Sequence, residues 1–281
     1  MPSLSDKLKS LGVQVGAQNL APRRDEKHTS IEKALGAHIL ATHHGDTYVV
    51  ETRYATGTAH GQGKLQIEAS LDTLGRWLND DHLVELPAQS FAFVDTETTG
   101  LSGGSGTYAF LIGVGRFEND EFHLAQFFMH DPVEESAQLA AFEEFIAPCQ
   151  ALVSYNGKTF DIPLLNTRFT SQGLHSPLKS MSHIDLLHLA RRLWRNRLPN
   201  RSLGNIEVEI LDASRSEEDV PGWMIPSMFF DYLKTGDAQP LRGVFYHNAI
   251  DVISLAALLN HIAGLLADPV QTSSTYGADI I

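Results

Sequence analysis

From residue 91 onward the apolar residues change period in an order that few folds accommodate. Runs at 91–95, 107–115 and 121–128 are short and rich in Phe and aliphatic residues, and read as three consecutive strands. Helical spacing follows over 134–146, then an apolar run at 151–154, then helical spacing over 161–171, 184–193, 202–210 and 243–266. Asp131-Pro132 and Glu134-Glu135 stand where helix-start signals belong. Three strands in succession, then helix alternating with strand, predict the α/β class: a mixed β-sheet flanked by helices.

Upstream, 38–42 and 47–54 flank His44-Gly45-Asp46 and predict a β-hairpin. Gly57 to Gly63 is a glycine-rich loop, and Leu71, Leu74 and Leu78 give helical spacing within 70–80. A boundary near Pro87 divides the chain into a flexible arm (1–30), an N-terminal β-containing extension (31–88), a main domain (89–268) and a tail (269–281).

The strand beginning at Phe91 runs into Asp95-Thr96-Glu97-Thr98-Thr99-Gly100. Alternate strand residues share a face, so Asp95 and Glu97 project together. Two carboxylates so placed repel each other unless a cation stands between them, and hard divalent ions take oxygen ligands. Solvated charges at a strand end are the plainer reading of such a pair. Asp161 opens the helix after Tyr155-Asn156-Gly157-Lys158, as an N-cap or as a third acid at the carboxyl edge of the sheet. His247 and Asp251 are four apart and share a helix face, as a local surface pair or as site residues.

Composition narrows the classes further. The formal net charge of −13 excludes non-specific coating of nucleic acid, though not local grip of a strand end. A single cysteine, Cys149, excludes an internal disulfide and a Cys-rich zinc site, and fits the cytoplasm. The amino-terminal stretch has no continuous apolar core, so no signal peptide is expected. Ile253–Ala267, broken by Asn260 and His261, is expected to be too short to span a membrane. Gly100–Gly106 lacks the GK[ST] ending of a P-loop and reads as a hairpin-like connection.

Asp95, Glu97, Asp161 and Asp251, with His247 before the last, resemble the DEDD superfamily of 3′–5′ exonucleases on a ribonuclease-H-like fold. The stretches DTETTGLSGG, YNGKTFDIPLLNTRF, EEDVPGWMIP and HNAIDVISLAALL resemble the bacterial YprB-like group of exonucleases, over roughly residues 40–266. The resemblance implies two Mg²⁺ or Mn²⁺ ions held by the four acids and a nucleic-acid substrate, a single-stranded 3′ end, DNA or RNA. It implies that His247 orients or deprotonates the attacking water. The DEDD branches carry histidine at minus five or tyrosine at minus four, whereas this chain has Tyr246 at minus five and His247 at minus four. Helix geometry favours His247; Tyr246 stays open if the segment is irregular.

The same resemblance makes Asp185 a substrate-positioning residue, with an N-cap as its equal alternative. Thr98, Gly100, Asn156 and Lys158 become substrate contacts, although Asn156 equally suits a turn. Arg191 and Arg195, in an arginine-rich segment around Trp194, offer phosphate contacts and a stacking surface, or simply a solvated helix face. Two other readings remain: a non-catalytic nucleic-acid-binding protein on the same fold, and a haloacid-dehalogenase-like phosphatase, whose DxDx[TV] strand end is similar to Val94–Thr98 except that Glu97 stands at the second acid.

Overall fold

The computed structural model of the chain describes residues 29–100 and 106–267. The arm expected over 1–30, apart from its last two residues, the tail expected from 269, and 101–105 of the connection after Gly100 lie outside the described residues. A short helix α1 (Ile31–Leu35), capped by Ser30, leads into the hairpin β1 (His38–Thr42) and β2 (Gly45–Ala55). A two-residue ladder, β3 (Ala59–His60) and β4 (Gly63–Lys64), closes the glycine-rich loop. Helices α2 (Asp72–Leu78) and α3 (His82–Glu85) follow.

The main run is β5 (Phe91–Thr98), β6 (Ala109–Glu118), β7 (Glu121–Phe128), α4 (Glu135–Ile146), β8 (Ala151–Ser154), α5 (Asp161–Ser171), β9 (Ser182–Asp185) and α6 (Leu186–Leu193). Then come α7 (Leu203–Glu209), α8 (Ile225–Thr235) and α9 (Leu241–Ala267). One seven-stranded sheet has the order β1-β2-β7-β6-β5-β8-β9. The pairs β5–β8 and β8–β9 are parallel and the others antiparallel. The sheet is therefore mixed, with helices on both faces, as the order of apolar periods predicts.

Several features differ from the sequence reading, three of which bear on the site's frame. Residues 182–185 form a fifth strand of the main run rather than the start of a helix, because Asp185 caps α6 only from Leu186 onward. Helix α8 was not expected. The hairpin continues the same sheet, with β2 pairing against β7 from Tyr48↔Phe128 to Ala55↔Glu121.

Strand β5 separates two cores. Phe91 and Phe93 pack with Val252, Leu255 and Leu258 of α9, while Val94 packs with Phe142 of α4 and Leu165 of α5. Helix α9 runs through the first of these and is buried on nearly every side from Val252 to Leu259. The apolar stretch expected to be too short for a bilayer belongs to this 27-residue helix, which length and composition alone would allow to cross one; 67% of its most apolar window is buried in the fold. That burial is what a central core helix requires.

Candidate active site at the carboxyl edge of the central strand

Asp95 and Glu97 have the parity of Phe91 and Phe93, so alternation turns both carboxylates to the α9 side of the sheet. Burial is the chief reason both carboxyls are held well above the ordinary range. For Asp95 the charges of Asp251 and Asp161 add to it; for Glu97 those of Asp95, Asp251 and Asp161 do. The structure thus brings Asp95, Glu97, Asp161 and Asp251 into one electrostatic cluster.

Asn248, fully buried on α9, donates from Nδ2 to Asp95 Oδ2 at 2.9 Å. Its Oδ1 accepts from Gln126 Nε2 at 2.9 Å, and the same Gln126 amide donates to Phe245 O at 2.8 Å. This chain fixes which end of the Asn248 amide donates. Gly113, the cross-strand partner of Asp95, leaves room for it: a Cβ there would stand 2.2 Å from Asn248 Oδ1. Gly113→Ala should push Asn248 off Asp95 and destabilise the fold by about 1–3 kcal/mol in a urea melt. A melt matching the parent would show that Asn248 is free to shift.

Asp161 is the first residue of α5, and its Oδ1 accepts from Thr96 Oγ1 at 2.5 Å. Burial pushes its carboxyl up to about 6, with the Thr96 hydroxyl working against the shift. The turn before α5 is built by Asp185, which is fully buried. Its carboxylate accepts from Asn156 N at 2.8 Å, Lys158 N at 3.1 Å and Leu187 N at 3.1 Å. Asp185 therefore caps α6 and also holds the turn that delivers Asp161. Asn156 takes φ +64°, a left-handed conformation that asparagine tolerates. Gly157 is required there because a Cβ would lie 2.3 Å from Ser154 Oγ.

The remaining sequence candidates are spread more widely. Thr98 Oγ1 donates to Gly100 O at 3.0 Å, closing the end of β5. Arg191 lies near enough to Tyr155, at the Asn156 turn, to act on its hydroxyl, and so does Arg201. Arg195 is exposed beyond α6. Trp194 is buried in the core at 1% exposure and offers no stacking surface, contrary to the sequence expectation. The indole that does meet this arginine cluster is Trp77, with Arg192 3.7 Å over its ring.

On α9, His247 and Asp251 share a face, with His247 Nε2 3.6 Å from Asp251 Oδ2. His247 Nδ1 lies 2.8 Å from Asp219 Oδ1 and 3.1 Å from Arg215 Nη1. Asp219 only accepts and Arg215 only donates, so Nδ1 serves Asp219 in the Nδ1–H tautomer and Arg215 in the Nε2–H tautomer. Tyr246 instead turns to the preceding loop, its hydroxyl accepting from Ser216 N at 2.8 Å. Arg215 donates to Asp251 Oδ1 and, from Nε and Nη2, to both oxygens of Glu207 at 2.7 Å each. Arg215, Glu207, Asp219 and Asn248 were all missed by sequence reasoning. Only Asn248, polar on an otherwise apolar helix face three residues before Asp251, gave a local signal.

The donor chemistry suits a hard divalent cation: four carboxylates, each held above its ordinary pKa, gain most from a positive charge among them. Among the described residues no three His, Cys, Asp or Glu side chains are already closed around one point as a finished metal cage. The Arg215 guanidinium is the positive charge standing against Asp251.

Comparison with known proteins bears on the whole arrangement. A protein of Bacillus subtilis (strain 168), YprB, itself uncharacterized, is 40% identical over 174 residues, which are 61% of this chain and 41% of YprB. The chain thus spans less than half the length of that relative. Among solved structures, the family B DNA polymerase from the hyperthermophilic archaeon Pyrobaculum calidifontis is similar with a TM-score of 0.46 and 17% identity, over 64% of this chain and 25% of that chain. The family model of the ribonuclease H superfamily matches residues 92–263, from β5 into α9. That span takes in all four acids and His247, and it overturns the phosphatase reading of Val94–Thr98. The chain belongs to the ribonuclease H superfamily and carries its nuclease-type fold.

Proposed function

We propose that the chain is a divalent-metal-dependent 3′–5′ exonuclease that hydrolyses phosphodiester bonds of DNA or RNA and releases nucleoside monophosphates. The observation that carries this reading is the gathering of Asp95, Glu97, Asp161 and Asp251 at one end of β5, with His247 beside the last. Asp95, Glu97 and Asp251 would hold one Mg²⁺ or Mn²⁺ ion, and Asp95 with Asp161 a second. Bound there, such ions supply the charge that polarises the phosphate and makes water acidic enough to attack.

The chain's own residues supply the rest. In the tautomer whose Nδ1–H is held by Asp219, His247 accepts the water's proton at Nε2. Asn248 keeps Asp95 turned into the site. Phe160, directly before Asp161, and Trp223, beside the Gly222 that faces His247, are exposed at 53% and 82%. Both supply faces on which unpaired bases of a strand end can stack. Arg191 and Lys158 supply phosphate contacts beside the Asn156 turn.

DNA and RNA oligomers blocked at the 3′ or the 5′ end, incubated with and without Mn²⁺, test the reading. Mononucleotide release that requires Mn²⁺ and stops only with the 3′ block is expected. No release, or release indifferent to the 3′ block, would overturn it. His247→Ala should lose about 10²–10⁴-fold in rate, the range of general-base catalysis, and Tyr246→Phe little. The opposite ranking would transfer the base to Tyr246.

A further inference from the structure

Arg215 and Glu207 form a pair that the reaction as drawn does not use. Glu207 is a carboxylate at 1% exposure on α7, and both of its oxygens are taken by the Arg215 fork. Its Oε1 also accepts from Ser254 Oγ at 2.7 Å, and the same Ser254 oxygen lies 2.8 Å from His60 Nε2. Ser254 is three residues beyond Asp251 on α9, so the pair is bolted to the helix that carries Asp251. Arg215 itself comes from the irregular segment between α7 and α8. From there one guanidinium reaches Asp251 Oδ1 through Nη2, and its Nη1 lies 3.7 Å from Asp219 Oδ2.

This arrangement is rigid where a surface ion pair would not be. A bidentate fork is planar and leaves one orientation for its partner. Because Glu207 is buried with both oxygens bonded, Arg215 cannot swing out without stranding a carboxylate away from water. The pair's effect on the site is therefore directional as well as electrostatic. It fixes Asp251 Oδ1 and leaves Oδ2 on the side of His247.

We infer that Arg215, held by Glu207, is a positioning residue that presets Asp251 to receive a divalent ion, and that the 211–220 segment is anchored to α9 through it. The inference rests on the metal-dependent reading above. Groups that orient a metal-binding side chain from behind typically carry a 10–100-fold effect on metal affinity when removed.

The test is Mn²⁺ binding, followed by the electron paramagnetic resonance of the free ion, on the full chain without substrate. R215K keeps the charge and loses the fork, whereas the R215M/E207Q double variant loses both charges together and leaves the site's net charge unchanged. Both should bind Mn²⁺ 10–100-fold more weakly, with far-ultraviolet circular dichroism as for the parent. Unchanged affinity in the two variants would reduce Arg215–Glu207 to a structural tie. Tighter binding would mean that Arg215 competes with the ion, which also overturns the inference. Should the double variant not fold, R215K alone decides between these outcomes. Asp95→Asn separates the two readings: if it binds Mn²⁺ as the parent does, the carboxylate site is not the metal site and the metal-dependent reading fails instead.

Discussion

Asp95→Asn should lower turnover by at least about 10³-fold, since losing several kcal/mol of charge stabilisation costs tenfold per 1.4 kcal/mol. The same substitution should stabilise the metal-free protein at neutral pH. The physical reason is the same in both cases. A carboxyl raised in the folded state keeps its proton better there than in the unfolded chain. The stability it contributes is present below the unfolded value of about 3.9 and is lost as pH rises through the folded value. For Asp161, pushed up to about 6, the loss falls between these two values and reaches about 3 kcal/mol at pH 7. Asp161→Asn should therefore recover about 3 kcal/mol at pH 7 and almost nothing at pH 4. Asp95→Asn should follow the same sign, its amide still accepting from Asn248.

The measurement is the difference between variant and parent in denaturant melts across pH. His60, His183 and His261 are held below the ordinary imidazole range by burial and weaken the fold on acidification in every variant. Taking the difference removes their contribution. A variant that melts below the parent at pH 7 without metal would mean that the fold does not hold these carboxyls above their ordinary range. Activity surviving in Asp95→Asn would leave the fold standing and the catalytic assignment gone.

Local pattern and non-local packing divide what could be read from the residues alone. Alternation along Phe91–Thr98 placed Asp95 and Glu97 on one face, and helical spacing placed His247 with Asp251, because both depend only on backbone period. The hairpin at 38–54 was legible for the same reason, but its pairing with β7 was not, since an edge carries no mark of its partner. Trp194 sits among arginines in sequence and looks exposed. Yet α6 buries Leu186, Leu189, Ala190 and Leu193, and the indole follows that face inward. Helix α8 does carry Ile225, Phe229 and Tyr232 at helical spacing, but Pro226 hides its start, since a proline there signals the first turn as readily as a break.

Arg215 and Glu207 show the limit most clearly. Glu207 resembles any solvated helix acid, and Arg215 lies in the aperiodic stretch Asp212-Ala213-Ser214-Arg215-Ser216. Glu207 is buried and Arg215 half-buried because each comes to meet the other, and neither local sequence contains that fact. Asp219 reaches His247 by the same loop. The acids were visible as a set; what orients them was not.

Arg168→Met should be the most destabilising single change on the α5 side, by about 3–5 kcal/mol. Arg168 and Glu135 are exposed at only 3% and 1%, and their bidentate pair runs Nε to Oε1 at 2.5 Å and Nη2 to Oε2 at 2.6 Å. Gln172 also donates to Glu135, and the Arg168 guanidinium lies 3.9 Å over the Tyr108 ring. Methionine in place of arginine would leave the Glu135 carboxylate buried with a single amide donor, which is the costly way to break such a pair. Replacing both partners by apolar residues of similar volume, Arg168→Met with Glu135→Leu, should restore most of the loss, because no charge is then stranded. The consequence reaches the site, for Arg168 and Asp161 stand on the same helix, α5. The single variant should therefore also bind Mn²⁺ more weakly below its melting range, and the double variant should bind it as the parent does. A denaturant midpoint within about 1 kcal/mol of the parent for Arg168→Met would show that α5 is held by its apolar face alone.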